Sequence, residues 1–327
     1  MEPVTAVVPN WNRRELLEAL LGRLRGQTHP VSEVVVVDNG STDGSAEAAG
    51  RLGARVIRSA QNLGFAAAVN RGIGECRTGL VAIVNNDVEP EPDWLERLSG
   101  ALEGDPKAWF AAGKILDARR REVLDGAWDL ISRGGCAWRA GHGRPDGEAW
   151  NRERPVRLAP LTATLVRREL FEKVGLLDER FESYLEDVEF GLRCARAGLG
   201  GLYVPQARAY HWGSATLGRW HPEVVRRISR NQLLLVARHY PERWWLGYGW
   251  PVLVGQTLWG LAALRHGAGW AYLRGKAEGI GRFAEFRRAG SGGGPLEETL
   301  AASERELFQL QRETGFDAYW KLYFALT

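Results

Sequence analysis

An acid and two amides follow one of the apolar runs of this sequence. Asn85, Asn86 and Asp87 come directly after residues 80–84, a run of the kind that forms a buried strand. Carboxylate and amide oxygens are ligands that Mg²⁺ and Mn²⁺ accept, and a cation held there could also bridge the phosphates of a substrate. The motif alone also fits an ordinary Asn-Asn-Asp turn.

Polar residues follow two earlier apolar runs as well. Pro9 and Asn12 close the first run, and Asp38 begins an Asn-, Gly- and Ser-rich stretch that extends to Ser45. An acid at the end of a parallel strand can accept hydrogen bonds from a nucleobase or a ribose, while small polar residues after it cap the next helix. For one loop of this kind, a turn that binds no ligand is the alternative.

Three acids lie within four residues at Glu186, Asp187 and Glu189, close to the start of a predicted helix. Such a cluster can supply a general base. Ser183 precedes Glu186 by three residues, so a capping box between these two is the alternative, with the acids serving the helix dipole. Capping accounts for Glu186 better than for Asp187, which makes Asp187 the candidate base.

A histidine near the end of another apolar run is a weaker signal. His211 lies between Tyr210 and Trp212. An imidazole can bind a metal ion, but a lone histidine is more often an ordinary side chain. By itself it therefore defines no site.

Strand-like and helix-like segments alternate through the first third of the chain, and they must position these residues. Apolar runs lie at residues 4–8, 33–37, 55–57 and 80–84, and helical patterns lie between them at residues 13–25, 44–52 and 65–76. This alternation predicts an α/β fold with a mostly parallel, doubly wound sheet. Such a sheet binds its ligand at the carboxyl ends of its strands, where the polar residues fall. Further helices are predicted at residues 168–174 and 188–197.

The composition excludes several classes of protein. With 45% apolar and 25% charged residues in 327, the chain is globular rather than disordered. A net charge of +3 gives no sign of a nucleic-acid partner. The cysteines, Cys76, Cys136 and Cys194, are too widely spaced for a zinc ribbon or a disulfide framework. No signal peptide is visible, so we expect a cytoplasmic protein.

Taken in order, these motifs resemble glycosyltransferase family two, the inverting enzymes of the GT-A fold, and within it the bacterial rhamnosyltransferase-like branch. The similar stretches are residues 9–12, 37–45 and 62–72, and the resemblance covers about residues 4–240. A dehydrogenase would carry a Gly-x-Gly-x-x-Gly turn after the first strand, and a sugar nucleotidyltransferase a basic, Gly-rich loop there. Neither is present.

The resemblance implies transfer of one sugar, with inversion, from a nucleotide diphosphate sugar to an acceptor hydroxyl. It implies Mg²⁺ or Mn²⁺ held by Asp87 and His211, and Asp187 as the catalytic base. Deoxythymidine diphosphate rhamnose is the donor expected from the branch, with uridine diphosphate sugars next. The residues expected to bind the donor are Pro9, Asn12, Asp38, Asn62, Gly64, Phe65, Asn70 and Asn86, with Asp38 at the nucleobase.

Two departures from the family pattern bear on activity. Asn85 stands where the usual Asp-x-Asp metal motif has its first acid, which predicts a lower cation affinity. An inactive sugar-nucleotide-binding scaffold protein is therefore the alternative function. The Gln-x-x-Arg-Trp motif of processive relatives is absent, because Arg219-Trp220 lacks the glutamine, and this favours transfer of a single sugar.

The segment at residues 244–264 carries no formal charge and lies between Arg243 and Arg265. Its length would allow a membrane span, but Pro251 and Gln256 weaken that interpretation, and its tryptophans are typical of a membrane interface. Residues 240–295 are also net basic. We therefore predict peripheral association with the inner face of an anionic membrane, with internal packing and a span as alternatives. A saccharide or a polyprenyl-linked saccharide would be the acceptor.

The expected organisation has three parts. A GT-A domain covers residues 1–240, and an apolar, basic helical region covers residues 241–290. After a glycine-rich break at residues 291–295, residues 296–327 contain an amphipathic helix.

Overall fold

The computed structural model describes residues 2–213, 218, 220–290 and 296–327. Arg219 and the glycine-rich break predicted at residues 291–295 lie outside the described residues. The chain forms two compact units. The first unit comprises Met1–Trp128 and Gly141–Ala215, and the helical unit comprises Asp129–Ala140 and Thr216–Thr327.

The strands, in chain order, are β1 (Val4–Asn10), β2 (Glu33–Asp38), β3 (Arg55–Arg58), β4 (Leu80–Val84), β5 (Val88–Pro90), β6 (Phe110–Asp117), β7 (Leu124–Gly126), β8 (Asp129–Ile131), β9 (Ala137–Arg139), β10 (Arg154–Val156), β11 (Ala163–Arg167) and β12 (Gly201–His211). The α-helices are α1 (Arg14–Arg25), α2 (Ser45–Arg51), α3 (Phe65–Glu75), α4 (Trp94–Gly104), α5 (Glu169–Val174), α6 (Glu186–Arg196), α7 (Pro222–His239), α8 (Trp244–Gly247), α9 (Gly249–Arg265), α10 (Gly269–Ala289), α11 (Leu296–Thr314) and α12 (Ala318–Leu326).

The first unit is built on one mixed sheet in the order β10-β12-β6-β11-β4-β1-β2-β3. The β4-β1-β2-β3 part is parallel throughout, and β11 joins β4 to β6 in antiparallel pairing. Short strands β5 and β7 pair with β12 and β6. The four predicted strands and the three predicted helices between them are all present, which confirms the α/β fold class.

Buried apolar side chains explain why these segments form this sheet. Strands β1 and β4 are buried along their whole length, as expected for strands with helices on both faces. Helix α1 buries a single stripe formed by Leu17, Leu20, Leu21 and Leu24. The β1 pairing with β4 ends at Val7, so Pro9, which has no N–H, pairs with β2 alone.

The helical unit contains α7 to α12 and the β8-β9 hairpin. Helices α7 and α10 approach closely at two glycines: a Cβ at Gly275 would lie 2.1 Å from the Arg226 carbonyl oxygen, and one at Gly279 would lie 3.0 Å from that of Arg230. The amphipathic helix predicted from residue 296 is α11. The uncharged segment at residues 244–264 is divided between α8 and α9, and no described helix is long and apolar enough to cross a membrane.

Candidate functional site

The carboxyl ends of β1, β2 and β4 are joined by one hydrogen-bond network. The Asn10 amide donates to Asp38 Oδ1 at 3.1 Å and to Ser45 Oγ at 2.9 Å. Asn86, two residues past β4, donates to Asn10 Oδ1 at 2.7 Å. The predicted residues Asp38 and Asn86 are therefore held by the same amide. The sequence interpretation missed Asn10, although an amide in the last position of a buried strand was a usable signal.

The turn after β1 is fixed by hydrogen bonds to the turn after β2. The Asn12 backbone N–H donates to Ser41 Oγ at 2.7 Å, and Asn12 Oδ1 accepts from Thr42 N at 3.0 Å. Asn12 and Arg13 have φ values of 59° and 66°, a left-handed conformation that is unfavourable for residues other than glycine. Pro9 lies inside β1 and is buried. This places Asn12, but not Pro9, in the turn at the strand ends.

The start of α3 is held by the loop that precedes α6. Phe65 N donates to Ser183 Oγ at 3.0 Å, and Ala66 N donates to the Glu182 carbonyl oxygen at 2.9 Å. Gly64 has a φ of 90°, and a Cβ there would lie 2.7 Å from that same carbonyl oxygen. Asn62 Oδ1 accepts from Gly64 N at 2.9 Å. These protein contacts position Asn62, Gly64 and Phe65, and their contact with a donor stays a prediction.

Asn70 is buried within α3, and its amide binds the segment before α6. Its Nδ2 donates to the Leu177 carbonyl oxygen at 2.9 Å and to Glu179 Oε1 at 3.0 Å, while its Oδ1 accepts from Leu177 N at 3.0 Å. These bonds use both the donor and the acceptor side of the amide. Asn70 is thus a link between two segments of the first unit, and its predicted role in binding a donor is untested.

A strained loop leads to the candidate base. Glu182, Tyr184 and Leu185 have φ values of 63°, 71° and 66°. Each such residue costs about 1–3 kcal/mol, and strain of this kind concentrates at functional sites. Together with Asn12 and Arg13, these are all the left-handed non-glycine residues in the part of the chain that the structure describes.

The alternative interpretation, a capping box between Ser183 and Glu186, is wrong. Helix α6 begins at Glu186 with Leu185 as its N-cap, so Ser183 lies before the helix and its hydroxyl accepts from Phe65 instead. Helix α6 is the helix predicted at residues 188–197; it begins before residue 188, but after the start that a cap at Ser183 would give.

The three acids at the start of α6 differ in burial. Glu186 and Glu189 are buried, and Glu189 forms an ion pair with Arg193 at 2.9 Å. The Arg193 guanidinium also donates to the Leu176 carbonyl oxygen at 2.8 Å, which fixes that carboxylate in the fold. Asp187 is half-buried and accepts from Val188 N at 2.8 Å. Among the three, Asp187 is therefore the one that an acceptor could reach.

His211 lies between two carboxylates. Its Nε2 is 3.1 Å from Asp87 Oδ1, and its Nδ1 is 2.9 Å from Asp125 Oδ2. Burial by itself would lower the pKa of His211, but attraction and hydrogen bonding to both acids outweigh it and raise the pKa to about 10. The Asp87 carbonyl oxygen accepts from Trp212 N at 3.0 Å, so the β4 and β12 ends are joined here.

Asp125 is a residue that sequence reasoning missed. It lies in β7, whose pairing with β6 joins Leu124 to Leu116 and Gly126 to Ile115. The only local signal was an acid after the apolar pair Val123-Leu124. Its approach to His211 depends on a strand pairing that the sequence pattern does not specify.

The residues near Asp87 fit a divalent cation. Asp87 offers a carboxylate and His211 an imidazole, and Asn85 Oδ1 is a buried oxygen with no hydrogen-bond partner among the residues that the structure describes. A buried acceptor of this kind can be satisfied by a water molecule or a cation. Within the described residues, no group of three His, Cys, Asp or Glu side chains could hold a metal ion on its own. A cation at Asp87 and His211 would therefore take further ligands from substrate phosphates and water, as Mg²⁺ usually does.

Comparison with known proteins identifies relatives of this chain. The family model for glycosyl transferase family 2 matches residues 5–175. The N-acetylglucosaminyl-diphospho-decaprenol L-rhamnosyltransferase of Mycobacterium tuberculosis is 29% identical over 80% of this chain and 91% of that protein. The pre-mycofactocin glycosyltransferase of Mycobacterium tuberculosis is 31% identical over 66% of this chain and 44% of that protein.

Solved structures show the same fold. The mannosyltransferase PcManGT from Pyrobaculum calidifontis, in complex with GDP-Man and Mn²⁺, matches with a TM-score of 0.53 and 20% identity, over 99% of this chain and 86% of that one. A mycobacterial protein matches with a TM-score of 0.50 and 18% identity, over 72% and 74% of the two chains. These similarities confirm the GT-A fold.

Proposed function

This chain belongs to glycosyltransferase family 2, and we propose that it transfers a single sugar, with inversion, from a nucleotide diphosphate donor to a saccharide or lipid-linked hydroxyl. The observation that carries the proposal is the meeting of Asp87, Asn86 and Asp38 at the carboxyl ends of β4 and β2, with His211 beside them. In a sheet of this kind the nucleotide binds at that edge.

The donor would lie along the network that joins the strand ends. Asp38 is held by Asn10 and by Ser41 N, and its carboxylate would accept a hydrogen bond from the nucleobase. Asn12 sits in the neighbouring turn, so it would border the same nucleotide.

Asp87 and His211 would hold Mg²⁺ or Mn²⁺ against the diphosphate. A cation there supplies positive charge that offsets the charge developing on the leaving diphosphate. Because Asn85 stands in place of an acid, the protein would offer the cation one carboxylate, from Asp87, and one imidazole, from His211. The affinity for the cation should therefore depend on the donor phosphates. The bound Mn²⁺ of the Pyrobaculum calidifontis enzyme supports this assignment.

Asp187 would act as the general base in a single displacement. The acceptor oxygen forms a bond to the anomeric carbon as the bond from that carbon to the diphosphate breaks, and the acceptor proton passes to Asp187. Two arguments favour this residue: it is half-buried while Glu186 and Glu189 are buried, and it follows the strained residues Tyr184 and Leu185.

Rhamnose is the sugar that the name of one relative supports. By its name, the Mycobacterium tuberculosis enzyme transfers L-rhamnose to a diphospho-decaprenol-linked sugar, and the present chain aligns with 91% of it. We propose the same classes of donor and acceptor for this protein, in the synthesis of a cell-surface polysaccharide.

The helical unit would bring the enzyme to such an acceptor at the inner face of the membrane. On α9 the exposed residues Trp250, Leu253, Leu261 and Leu264 recur at intervals that place them on one helix face. Helix α10 exposes Trp270, Leu273 and Ile280 in the same manner. These side chains stand among exposed arginines, the combination expected for an anionic membrane surface.

The donor and cation assignments can be tested together by isothermal titration calorimetry. We expect a deoxythymidine or uridine diphosphate sugar to bind more tightly with Mn²⁺ than with excess chelator. Asp87→Ala should remove this difference, because it removes the anionic ligand. Wild-type donor binding and full transfer activity in excess chelator would refute the cation assignment.

A further inference from the structure

The position of Asp125 is fixed by strand pairing, by backbone hydrogen bonds and by burial. Its backbone is part of β7, and its carbonyl oxygen is 2.7 Å from His142 Nδ1. The neighbouring Leu124 exchanges backbone hydrogen bonds with Gly143 and Arg144 at 2.8 Å each. Only 15% of the Asp125 side chain is exposed. The carboxylate thus has a fixed position when it meets Nδ1 of His211.

This contact decides which nitrogen of His211 can bind a cation. When a cation binds the imidazole, the cation replaces one of the two ring protons, and the remaining proton must lie on the nitrogen that does not ligate. Asp125 faces Nδ1, and Asp87 faces Nε2. If only Asp87 were present, its carboxylate would favour a proton on Nε2, and that proton would block ligation. A carboxylate at Nδ1 favours the other tautomer and also raises the basicity of the ligand nitrogen.

We propose that Asp125 is a positioning residue, which holds the proton of His211 on Nδ1 and so presents Nε2 to the divalent cation at Asp87. The proposal rests on the proposed cation site and adds a residue to it. Asp125 does not touch the cation or the donor. It acts through His211, in the way that carboxylates behind metal-ligating histidines usually do.

The test compares Mn²⁺ affinity of the full chain, with deoxythymidine diphosphate present in excess, by electron paramagnetic resonance of unbound Mn²⁺. Asp125→Leu keeps the branched shape of the side chain and has no acceptor, so we expect affinity to fall roughly 10–100-fold. Asp125→Asn keeps an uncharged acceptor, so its Mn²⁺ affinity should fall less. Asp146→Asn is the matched control. Asp146 also pairs with a buried basic side chain, that of Lys114, at 2.6 Å, and it takes no part in the proposed site.

A second measurement reports the tautomer directly. In ¹⁵N-histidine spectra with diamagnetic Mg²⁺, wild-type His211 should show the Nδ1–H form, and Asp125→Leu should show a large share of the Nε2–H form. A loss of packing alone would leave the tautomer unchanged. Thermal unfolding of each variant without metal separates loss of fold from loss of affinity, and Asp125→Asn serves if Asp125→Leu does not fold.

The outcomes separate this inference from the proposed function. If Asp87→Ala loses Mn²⁺ while both Asp125 variants keep wild-type affinity and tautomer, the inference is overturned and the cation site stands. If wild type and Asp87→Ala bind Mn²⁺ equally, the cation site itself is wrong, and the role of Asp125 falls with it.

Discussion

Each unit buries a side chain that can carry a positive charge, and the pKa values of these two side chains are shifted in opposite directions. Burial alone would lower the pKa of His211 in the first unit, but Asp87 and Asp125 raise it to about 10. Burial lowers the pKa of Lys276 in the helical unit to about 7. Its Nζ donates to neutral oxygens of Ser229 and Gln232, which do not offset the effect of burial as carboxylates would. The charge on the neighbouring groups, rather than burial alone, therefore decides whether each of these buried side chains keeps its proton.

The same contrast holds for strain and for exposed surface. The left-handed non-glycine residues of the described chain lie in the first unit, in the turn at Asn12 and the loop at Glu182–Leu185. Among the described residues, the large apolar side chains that are exposed lie in the helical unit, apart from Trp11 and Leu176. The first unit is thus organised for chemistry and the helical unit for contact with an apolar partner, a division that mutations can test.

The largest effect should come from the candidate base, if chemistry is confined to the first unit. Asp187→Asn keeps the shape of the side chain and removes its ability to accept a proton. Turnover should fall by ~10² to 10⁴, the range typical for loss of a general base, while donor affinity changes by no more than a few fold. Steady-state kinetics and donor titration measure the two quantities.

The control for this variant must be an acid outside the site. Glu169→Gln is suitable, because Glu169 is exposed and forms an ion pair with Lys173 on the surface of α5. Glu189→Gln is unsuitable, since it breaks a buried pair with Arg193 and should destabilise the fold by about 3–5 kcal/mol. Near-normal turnover in Asp187→Asn would place the base elsewhere.

The sequence predicted those parts of the site that depend on local pattern. Asp38 and Asp87 could be placed at strand ends because Asp38 directly follows one recognisable apolar run and Asp87 belongs to the polar triplet after another. Asp125 could not, because its position depends on the β6-β7 pairing. The bond from Phe65 to Ser183 also joins residues 118 positions apart, so the capping box favoured by local spacing gave way to a tertiary contact.

Gly64 tests whether the strained loop of the first unit must approach α3 closely. A Cβ at Gly64 would overlap the Glu182 backbone, so Gly64→Ala should displace the residues before Asp187. We expect a loss of about 1–3 kcal/mol in stability and a fall of roughly 10–100-fold in turnover, because misplacing a catalytic group is costly.

Gly53→Ala is the matched control for that variant. Gly53 has a φ of 78° but no atom within 4 Å of its Cβ position, so it reports the backbone effect without the overlap. It should lose about 1 kcal/mol and retain turnover. Equal turnover in the two variants would contradict a role for the close approach.

Lys276 provides the corresponding test in the helical unit. Between its folded-state pKa of about 7 and its ordinary pKa of 10.5, the unfolded chain holds a proton that the folded protein has released. The free energy of unfolding must therefore rise with pH in this window. Compared with Lys276→Gln, wild type should gain about 1–2 kcal/mol between about pH 7 and about pH 8.5 in urea unfolding. Parallel pH profiles would mean that Lys276 keeps its proton in the folded protein and would contradict the contrast with His211.

The smallest expected effect concerns the exposed face of the helical unit. Leu264 and Trp270 are 66% and 74% exposed, so replacing both with serine should leave the fold intact. Binding to phosphatidylglycerol vesicles should weaken roughly three- to tenfold, since apolar area no longer enters the interface.

Wild-type binding should also fall as salt rises, because nearby arginines such as Arg265 and Arg274 act through screened attraction. Leu176→Ser, an exposed leucine of the first unit, is the control and should bind as wild type does. If wild type fails to bind these vesicles at low salt, the exposed face does not serve membrane attachment, and the contrast between the units reduces to the site chemistry alone.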